Sequence, residues 1–181
     1  MANPSRNAQG DTRAEAQEIQ QTDAPLSRTR STRVFTKVMQ RYWRFSRGLT
    51  LGAQGIVVDA QDRVLLIKHT YRPGWHFPGG GVERNETTRQ ALVRELAEEA
   101  GVELLDEPEL FGIYANFRAF PSDHIALFLV RGWCQPVAPR PNYEIAAHGF
   151  FARDELPADI NLPTLRRLGE VFERAPRDAM W

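Results

Sequence analysis

Cysteine is almost absent from this chain, since Cys134 is the only one among 181 residues. A single thiol excludes an intramolecular disulfide and argues against a structural zinc site, which usually takes several cysteines. Long apolar runs are absent too. None approaches the ~18 residues of a membrane-spanning helix, and no apolar signal-peptide core follows the first residues. We therefore expect a soluble, cytoplasmic protein whose length fits one globular domain.

Net charge is also absent, because 23 lysines and arginines balance 23 aspartates and glutamates. Overall charge therefore gives no reason to expect a nucleic-acid partner. The distribution along the chain is uneven, however, because residues 28–47 contain seven basic residues and no acidic one. We refer to residues 28–47 as the basic segment.

The first 48 residues divide into two parts by composition. Residues 1–30 have almost no large apolar side chains, so we predict a disordered polar tail that cannot offset the entropy of ordering. Residues 31–48 have the spacing of a basic amphipathic helix. Its apolar face carries Phe35, Val38, Met39, Tyr42 and Phe45. That face can pack on the domain or on a second subunit in a homodimer, whereas the basic face can contact an anionic membrane surface or nucleic acid.

The most informative stretch runs from Gly80 to Val102 and reads GGVERNETTRQALVRELAEEAGV. A helix over its second half places Glu95, Glu98 and Glu99 within about 100° of arc on one face. Neighbouring carboxylates on a helix repel each other by roughly 0.2–0.5 kcal/mol per pair. A cation is therefore needed to compensate them. A hard divalent ion such as Mg²⁺ prefers oxygen ligands and retains phosphates in its shell, so the stretch predicts phosphate chemistry.

Three upstream or neighbouring residues support this interpretation. Arg94 precedes Glu98 by four residues and can hold that carboxylate by a charge-assisted hydrogen bond. Gly80 and Glu86 lie at fixed offsets before the helix. A merely solvated acidic helix would not require a turn or a carboxylate at those offsets, which disfavours the solvated alternative.

Local signals place this acidic helix between turns. Asn85 or Thr87 can cap its start, and Gly101 is a natural residue to end it. Prolines and glycines in residues 70–81 predict a loop without regular structure, in which the backbone can approach a ligand closely. The periodicity of residues 164–174 predicts a last helix.

Large rings interrupt the 70–81 loop at Trp75, His76 and Phe77. Beside a phosphate site such rings can stack a base or a sugar, although large rings most often fill a core. Both interpretations stay open, and we treat these three residues and Gly79 as candidate substrate-binding residues.

The spacing G-x5-E-x7-R-E-U-x-E-E-x-G-U, in which U is aliphatic, matches the Nudix box at every defined position. The chain therefore resembles the Nudix hydrolase superfamily, over a domain that we place at residues 49–175. The resemblance implies an α/β/α sandwich with a mixed β-sheet between helices. It also implies cleavage of the pyrophosphate of a nucleoside diphosphate linked to another group, X, by water with Mg²⁺ or Mn²⁺.

The resemblance also assigns roles to residues. The implied metal ligands are the box glutamates Glu86, Glu95, Glu98 and Glu99, and the backbone carbonyl of Gly80 or Gly79. We refer to residues 79–81 as the glycine turn. The general base is not fixed by the resemblance. Glu95 or Glu98 would serve, with Arg94 beside them, and Glu144 is the candidate outside the box because it precedes a late strand.

The box does not define X, so a nucleotide sugar, ADP-ribose, a CDP-alcohol or a nucleoside triphosphate remains open as the small-molecule partner. One alternative is an RNA 5′-pyrophosphohydrolase in which the basic segment contacts the RNA backbone. Another is a non-catalytic, Nudix-like ligand sensor. Retention of all four box glutamates favours an enzyme.

Overall fold

The computed structural model describes Met39 and residues 48–181. The predicted polar tail and nearly all of the predicted basic helix therefore lie outside the described residues. Over 48–181 the strands are β1 (Thr50–Val57), β2 (Val64–His69), β3 (Trp75–His76), β4 (Gly79–Gly81), β5 (Glu103–Leu104), β6 (Glu109–Ala115), β7 (Asp123–Val130), β8 (Trp133–Cys134) and β9 (Ile145–Phe151). The helices are α1 (Thr88–Ala100) and α2 (Leu162–Phe172).

The largest sheet has the order β4-β1-β7-β6 and is mixed. β1 and β7 run parallel, whereas β4 and β6 are antiparallel to their neighbours. A second sheet, of order β3-β2-β9, is antiparallel, and β5 pairs with β8. The residues of β1 from Ala53 to Val57 are all buried. A strand buried in this way needs cover on both faces of its sheet.

Two apolar cores provide that cover. Neighbouring residues of β1, Ile56 and Val57, point into different cores. The first core holds Leu92 and Leu96 of α1, each fully buried, which stabilises the fold by roughly 1.5–3 kcal/mol per leucine. The second core includes Leu168 of α2. The architecture is thus the α/β/α sandwich with a mixed sheet that the sequence predicts.

Capping residues set the two ends of the acidic helix α1. Thr87 is the N-cap: its hydroxyl accepts a hydrogen bond from the backbone N–H of Gln90, whose side chain accepts one from the Thr87 N–H in return. Asn85, the other predicted cap, instead has a positive φ of 65° in the preceding turn. Gly101 ends the helix in the left-handed conformation, with a φ of 62°. These caps fix where the acidic face starts relative to the glycine turn.

The prediction that residues 70–81 lack regular structure is wrong in part. β3 and β4 both fall in this segment, pairing Ile67 with His76 and Gly52 with Gly81. Glycine and proline lower the intrinsic tendency to form strands, but pairing with a neighbouring buried strand outweighs that tendency over two or three residues. The glycine turn is therefore held in register with β1 rather than free.

The end of the described chain belongs to the domain beyond the predicted limit at residue 175. Met180 forms a parallel bridge with Ala115 of β6. Arg167 of α2 is fully buried beside the rings of Tyr114 and Trp181, 4.2 and 5.8 Å from the ring centres. Helix α2 begins two residues earlier than predicted. Its Leu165 is 41% exposed, whereas Leu168 is buried in the second core.

Among the residues that the structure describes, no helix has both the length and the apolar character needed to cross a membrane.

Candidate active site

The glycine turn holds the acidic helix through Glu99. Glu99 is 5% exposed, and its Oε2 accepts a hydrogen bond of 2.6 Å from the backbone N–H of Gly79. Gly79 has a φ of 140°, and a Cβ there would collide with the Ala53 carbonyl, so only glycine permits this approach. Burial raises the pKa of Glu99 to about 8. The nearby charge of Arg72 and the Gly79 N–H offset this burial only in part, so a bound cation would stabilise the ionised carboxylate.

Arg94 organises the other side of the box. Its Nε and Nη2 donate to the two oxygens of Glu86, each at 3.0 Å, and its Nη1 donates to Glu95 at 2.6 Å. Nη2 also donates to the Gly81 carbonyl at 3.0 Å. The predicted hydrogen bond from Arg94 to Glu98 is wrong, because Nη1 lies 3.7 Å from that carboxylate. The planar fork of the guanidinium is satisfied by Glu86 and Glu95, and the Glu98 side chain stays 63% exposed.

The Gly80 position is explained by Glu95. A Cβ on Gly80 would collide with the Glu95 carboxylate, so glycine at this position leaves room for that group. Burial raises the pKa of Glu95 despite the hydrogen bond from Arg94. Arg94 holds the pKa of the half-buried Glu86 carboxyl below its ordinary value. The box thus contains one carboxylate neutralised by arginine and others whose charge is poorly compensated.

Glu144 reaches the box from the start of β9. The side-chain oxygen of Asn142 accepts a hydrogen bond of 2.8 Å from the Glu144 backbone N–H, which forms a tight turn. The backbone N–H of Thr70, just after β2, donates to the Glu144 carbonyl at 2.9 Å. Ligand atoms of His69, Glu99 and Glu144 then all lie within 4.8 Å of one another. Pairing of β2 with β9 therefore joins two carboxylates that are far apart in sequence.

His69 and Arg72 form the basic side of this group. Arg72 Nη2 lies 2.5 Å from His69 Nε2. Because a guanidinium can only donate, the imidazole accepts with Nε2 and carries its proton on Nδ1. Burial, followed by the charge of Arg72, lowers the pKa of His69 to about 4. The same Nε2 lies 3.9 Å from Glu99, so the imidazole nitrogen facing the carboxylates is already occupied by Arg72.

The donor set fits a hard divalent ion. Glu99 and Glu144 offer carboxylate oxygens, with Glu95 on the same helix face, and oxygen is the ligand that Mg²⁺ prefers. Burial raises the pKa of Glu99 although the Gly79 N–H and the charge of Arg72 act in the opposite direction, so a bound cation would stabilise its ionised form. His69 contributes by holding Arg72, since the nitrogen it would offer a metal accepts a hydrogen bond.

A cleft of about 760 Å³ opens beside the glycine turn. This volume is in the range of sites that hold a small organic ligand, roughly 300–1,000 Å³. Backbone of β1 and of the glycine turn lines part of it, and the Tyr71–Pro73 loop and Trp181 line other parts. The lining side chains with polar tips include Gln54, Arg72, Asn116, Asp123 and Asn161. The glycine turn contacts the box carboxylates on one side and lines the cleft on the other. This arrangement suits a substrate with a phosphate end and an organic end.

Comparison with protein-family models identifies the family of this domain. The model described as NUDIX domain matches residues 48–170, which is more than half of the chain. The chain belongs to the NUDIX family. The matched range contains the box, Glu144, His69 and Arg72, and ends just short of the segment that carries Trp181.

Curated relatives of this NUDIX protein match over about half of its length. One is an RNA pyrophosphohydrolase of Hydrogenovibrio crunogenus, 34% identical over 82 residues, covering 45% of this chain and 47% of the relative. Another is an 8-oxo-dGTP diphosphatase of Proteus vulgaris, 37% identical over 87 residues, covering 45% of this chain and 75% of the relative. The chain thus spans less than half of the first relative.

Solved NUDIX structures match over more of the chain. A MutT NUDIX hydrolase from Burkholderia pseudomallei is 27% identical, with a TM-score of 0.58, covering 67% of this chain and 97% of that one. An ADP-ribose pyrophosphatase from Streptococcus suis is 25% identical, with a TM-score of 0.53, covering 71% and 94%. These similarities agree with the mixed sheet and the two helices.

The structure separates the predicted substrate-binding residues of the NUDIX domain. Gly79 and His76 line the cleft, and the His76 ring contacts the Pro73 carbonyl at 2.8 Å. Phe77 is fully buried in the second core. Trp75 packs edge-on against Phe151, with ring centres 4.9 Å apart, and does not line the cleft. Of the two interpretations left open for Phe77 and Trp75, the packing favours the core, because alternation along this extended segment turns both rings inward.

Sequence reasoning missed His69, Arg72 and Trp181. His69 ends β2 and Arg72 follows shortly after it, and no motif marks either residue. Only the pairing of β2 with β9 joins them to Glu144. Trp181 lies beyond the predicted domain. An arginine in a loop of glycine and proline just before the box was the one local signal of a binding role.

Proposed function

We propose that this NUDIX domain hydrolyses the pyrophosphate of a nucleoside diphosphate linked to a further group, X, with Mg²⁺ or Mn²⁺ bound at the box. The observation that carries the proposal is the meeting of Glu99 and Glu144 beside a glycine turn that also lines a cleft of nucleotide size. Relatives named for RNA, 8-oxo-dGTP and ADP-ribose pyrophosphate chemistry support the reaction class.

Residues of the box and Glu144, which lies outside it, would hold the ion together. Glu99 and Glu144 would hold it, with Glu95 and Glu98 on the same helix face and the Gly80 carbonyl in support. When bound, the ion supplies charge neutralisation of the pyrophosphate and lowers the pKa of a water molecule. Arg94 keeps the Glu95 carboxylate in place by a hydrogen bond of 2.6 Å.

A carboxylate must accept the proton of the attacking water. Glu95, Glu98 and Glu144 are the candidates. Burial raises the pKa of Glu95, which moves this carboxyl toward the range in which a general base is most effective near neutral pH. Glu144 lies among the carboxylates but immediately precedes β9 rather than belonging to α1, so it can approach the water from another side.

A second candidate substrate is the triphosphorylated 5′ end of RNA. The relative from Hydrogenovibrio crunogenus is named RNA pyrophosphohydrolase, and the basic segment has seven cations and no acidic residue. Contacts from such a segment to an RNA backbone would make binding strongly dependent on salt. Small nucleotides, which lack that backbone, would show weak dependence.

The test is product release from a substrate panel, measured with Mg²⁺, Mn²⁺ or EDTA. The panel contains ADP-ribose, nucleoside diphosphate sugars, CDP-choline, (d)NTPs including 8-oxo-dGTP, and triphosphorylated RNA. One metal-dependent preference would define X. Absence of turnover on every substrate, with the metal demonstrably bound, would contradict the proposal and favour a ligand sensor.

A further inference from the structure

Arg72 is the only lysine or arginine among the described residues that line the cleft. Its Nε is buried and has no hydrogen-bond partner within the described part of the chain. A buried, unpartnered donor costs about 1–3 kcal/mol, so such a group is usually kept for a ligand or an ordered water. Arg72 itself lines the cleft next to the box.

The neighbour of Arg72 brings no negative charge. His69 accepts the bond from Nη2 with its Nε2, which a neutral imidazole does. A carboxylate in the same place would have neutralised the guanidinium. The guanidinium is thus held by a neutral partner. Glu99 is near enough to act on the charge of Arg72, but Nε has no hydrogen-bond partner and is left for an anion from the cleft.

We propose, on the basis of the proposed function, that Arg72 binds a non-bridging phosphate oxygen of the substrate, and that His69 is the residue that positions it. A guanidinium carries donors in a planar fork that matches phosphate oxygens. The pyrophosphate would then lie between two charges: the ion at the carboxylates of Glu99 and Glu144, and the guanidinium of Arg72.

The test uses methylenediphosphonate, which has the two phosphorus groups of the substrate, resists hydrolysis and requires no knowledge of X. Its affinity is measured by titration calorimetry in Mg²⁺ for the wild-type protein, Arg72→Gln, Arg72→Lys and the control Arg131→Gln. Arg131 also carries one positive charge but lies at the surface opposite Asp62. We expect Arg72→Gln to weaken binding by about 10-fold to 100-fold, Arg72→Lys to weaken it less, and Arg131→Gln to leave it unchanged.

Three results would overturn the inference. The first is an unchanged affinity of Arg72→Gln for methylenediphosphonate, and the second is no binding by the wild-type protein. The third is a loss of Mn²⁺ affinity in Arg72→Gln as large as its loss of methylenediphosphonate affinity, which would mean that the arginine acts by maintaining the metal carboxylates. A wild-type protein that binds the probe but hydrolyses nothing would contradict the proposed function alone, so the two failures are distinguishable.

The positioning role of His69 is tested with two variants. Glutamine retains an acceptor near the place of Nε2, whereas leucine has none. We expect His69→Leu to weaken methylenediphosphonate binding nearly as much as Arg72→Gln, and His69→Gln to restore part of it. Equal affinity of both variants and the wild type, measured on folded proteins with intact thermal transitions, would contradict the role.

Discussion

Two neighbouring glutamates of the box have opposite environments. The Glu98 side chain is 63% exposed, whereas Glu99 is buried and hydrogen-bonded to Gly79. Both are predicted to serve the same ion. Their substitutions should therefore have similar effects on turnover and different effects on the stability of the metal-free protein.

Replacement of Glu98 by glutamine should separate catalysis from folding. Because the side chain is exposed and Arg94 does not donate to it, we expect Glu98→Gln to keep the thermal unfolding temperature of the wild type. Loss of its carboxylate should lower kcat by about 100-fold or more. Near-normal turnover, measured at saturating Mg²⁺ on the best substrate of the panel, would remove Glu98 from the mechanism.

Glu99 makes the metal-free protein sensitive to pH. Burial raises the pKa of Glu99 from 4.5 to about 8, so the folded state binds a proton that the unfolded state releases. Its contribution to stability is fully present below pH 4.5 and is lost as the pH rises through 8. In EDTA, Glu99→Gln should therefore melt at a higher temperature than the wild type at pH of about 9, and the difference should shrink toward pH 4.5.

The control for that experiment is Glu98→Gln, whose unfolding temperature should follow the wild-type curve at every pH. Added Mg²⁺ should stabilise the wild type but not Glu99→Gln, because the ion replaces the proton on that carboxylate. If the unfolding temperatures of the wild type and Glu99→Gln in EDTA changed with pH in the same way, Glu99 would not be the group that makes stability depend on pH.

At the scale of elements, α2 and the segment after it form one unit around Arg167. Its Nη2 lies 2.9 Å from Glu170, and its Nη1 donates to the Met180 carbonyl at 3.1 Å. Glu170 also accepts hydrogen bonds from Tyr114 and from the Asp178 backbone. This buried group connects α2 to β6 and places Trp181 against the cleft.

Replacement of Arg167 should destabilise the fold because it leaves the buried carboxylate of Glu170 without its cation. We expect Arg167→Met to lower the free energy of unfolding by about 3–5 kcal/mol, measured by urea denaturation. The adjacent, exposed Arg166→Met is the matched control and should change it little. Adding Glu170→Gln to Arg167→Met should recover part of the loss. If Arg167→Met lowers the free energy of unfolding no more than Arg166→Met, the pair of Arg167 and Glu170 does not hold the segment after α2 on the domain.

At the scale of the whole molecule, the sequence predicts whatever depends on neighbours along the chain. The box helix, its Thr87 cap and its Gly101 end follow from local spacing, and the resemblance supplies the sandwich fold. The carboxylate face follows too, since a helix fixes the directions of Glu95, Glu98 and Glu99. These features need no knowledge of distant pairing.

Features that depend on distant pairing could not be predicted from the residues alone. The position of Glu144 rests on the pairing of β2 with β9, and only the resemblance pointed to it. The direction of a ring in a short strand rests on which face that strand turns inward, so the sequence could not decide between core and substrate for Trp75 and Phe77. Arg72 became a candidate for phosphate binding only once the structure showed its contact with His69 and its Nε without a hydrogen-bond partner.

The central claim is that the box carboxylates act through a divalent ion on a phosphoric anhydride. The most direct measurement is product release against Mg²⁺ concentration, for the wild type and for Glu99→Gln, on the best substrate of the panel. We predict saturable activation of the wild type, loss of activity in EDTA, and turnover of Glu99→Gln lower by about 100-fold or more. Turnover independent of Mg²⁺, or equal in the two proteins, would contradict the claim.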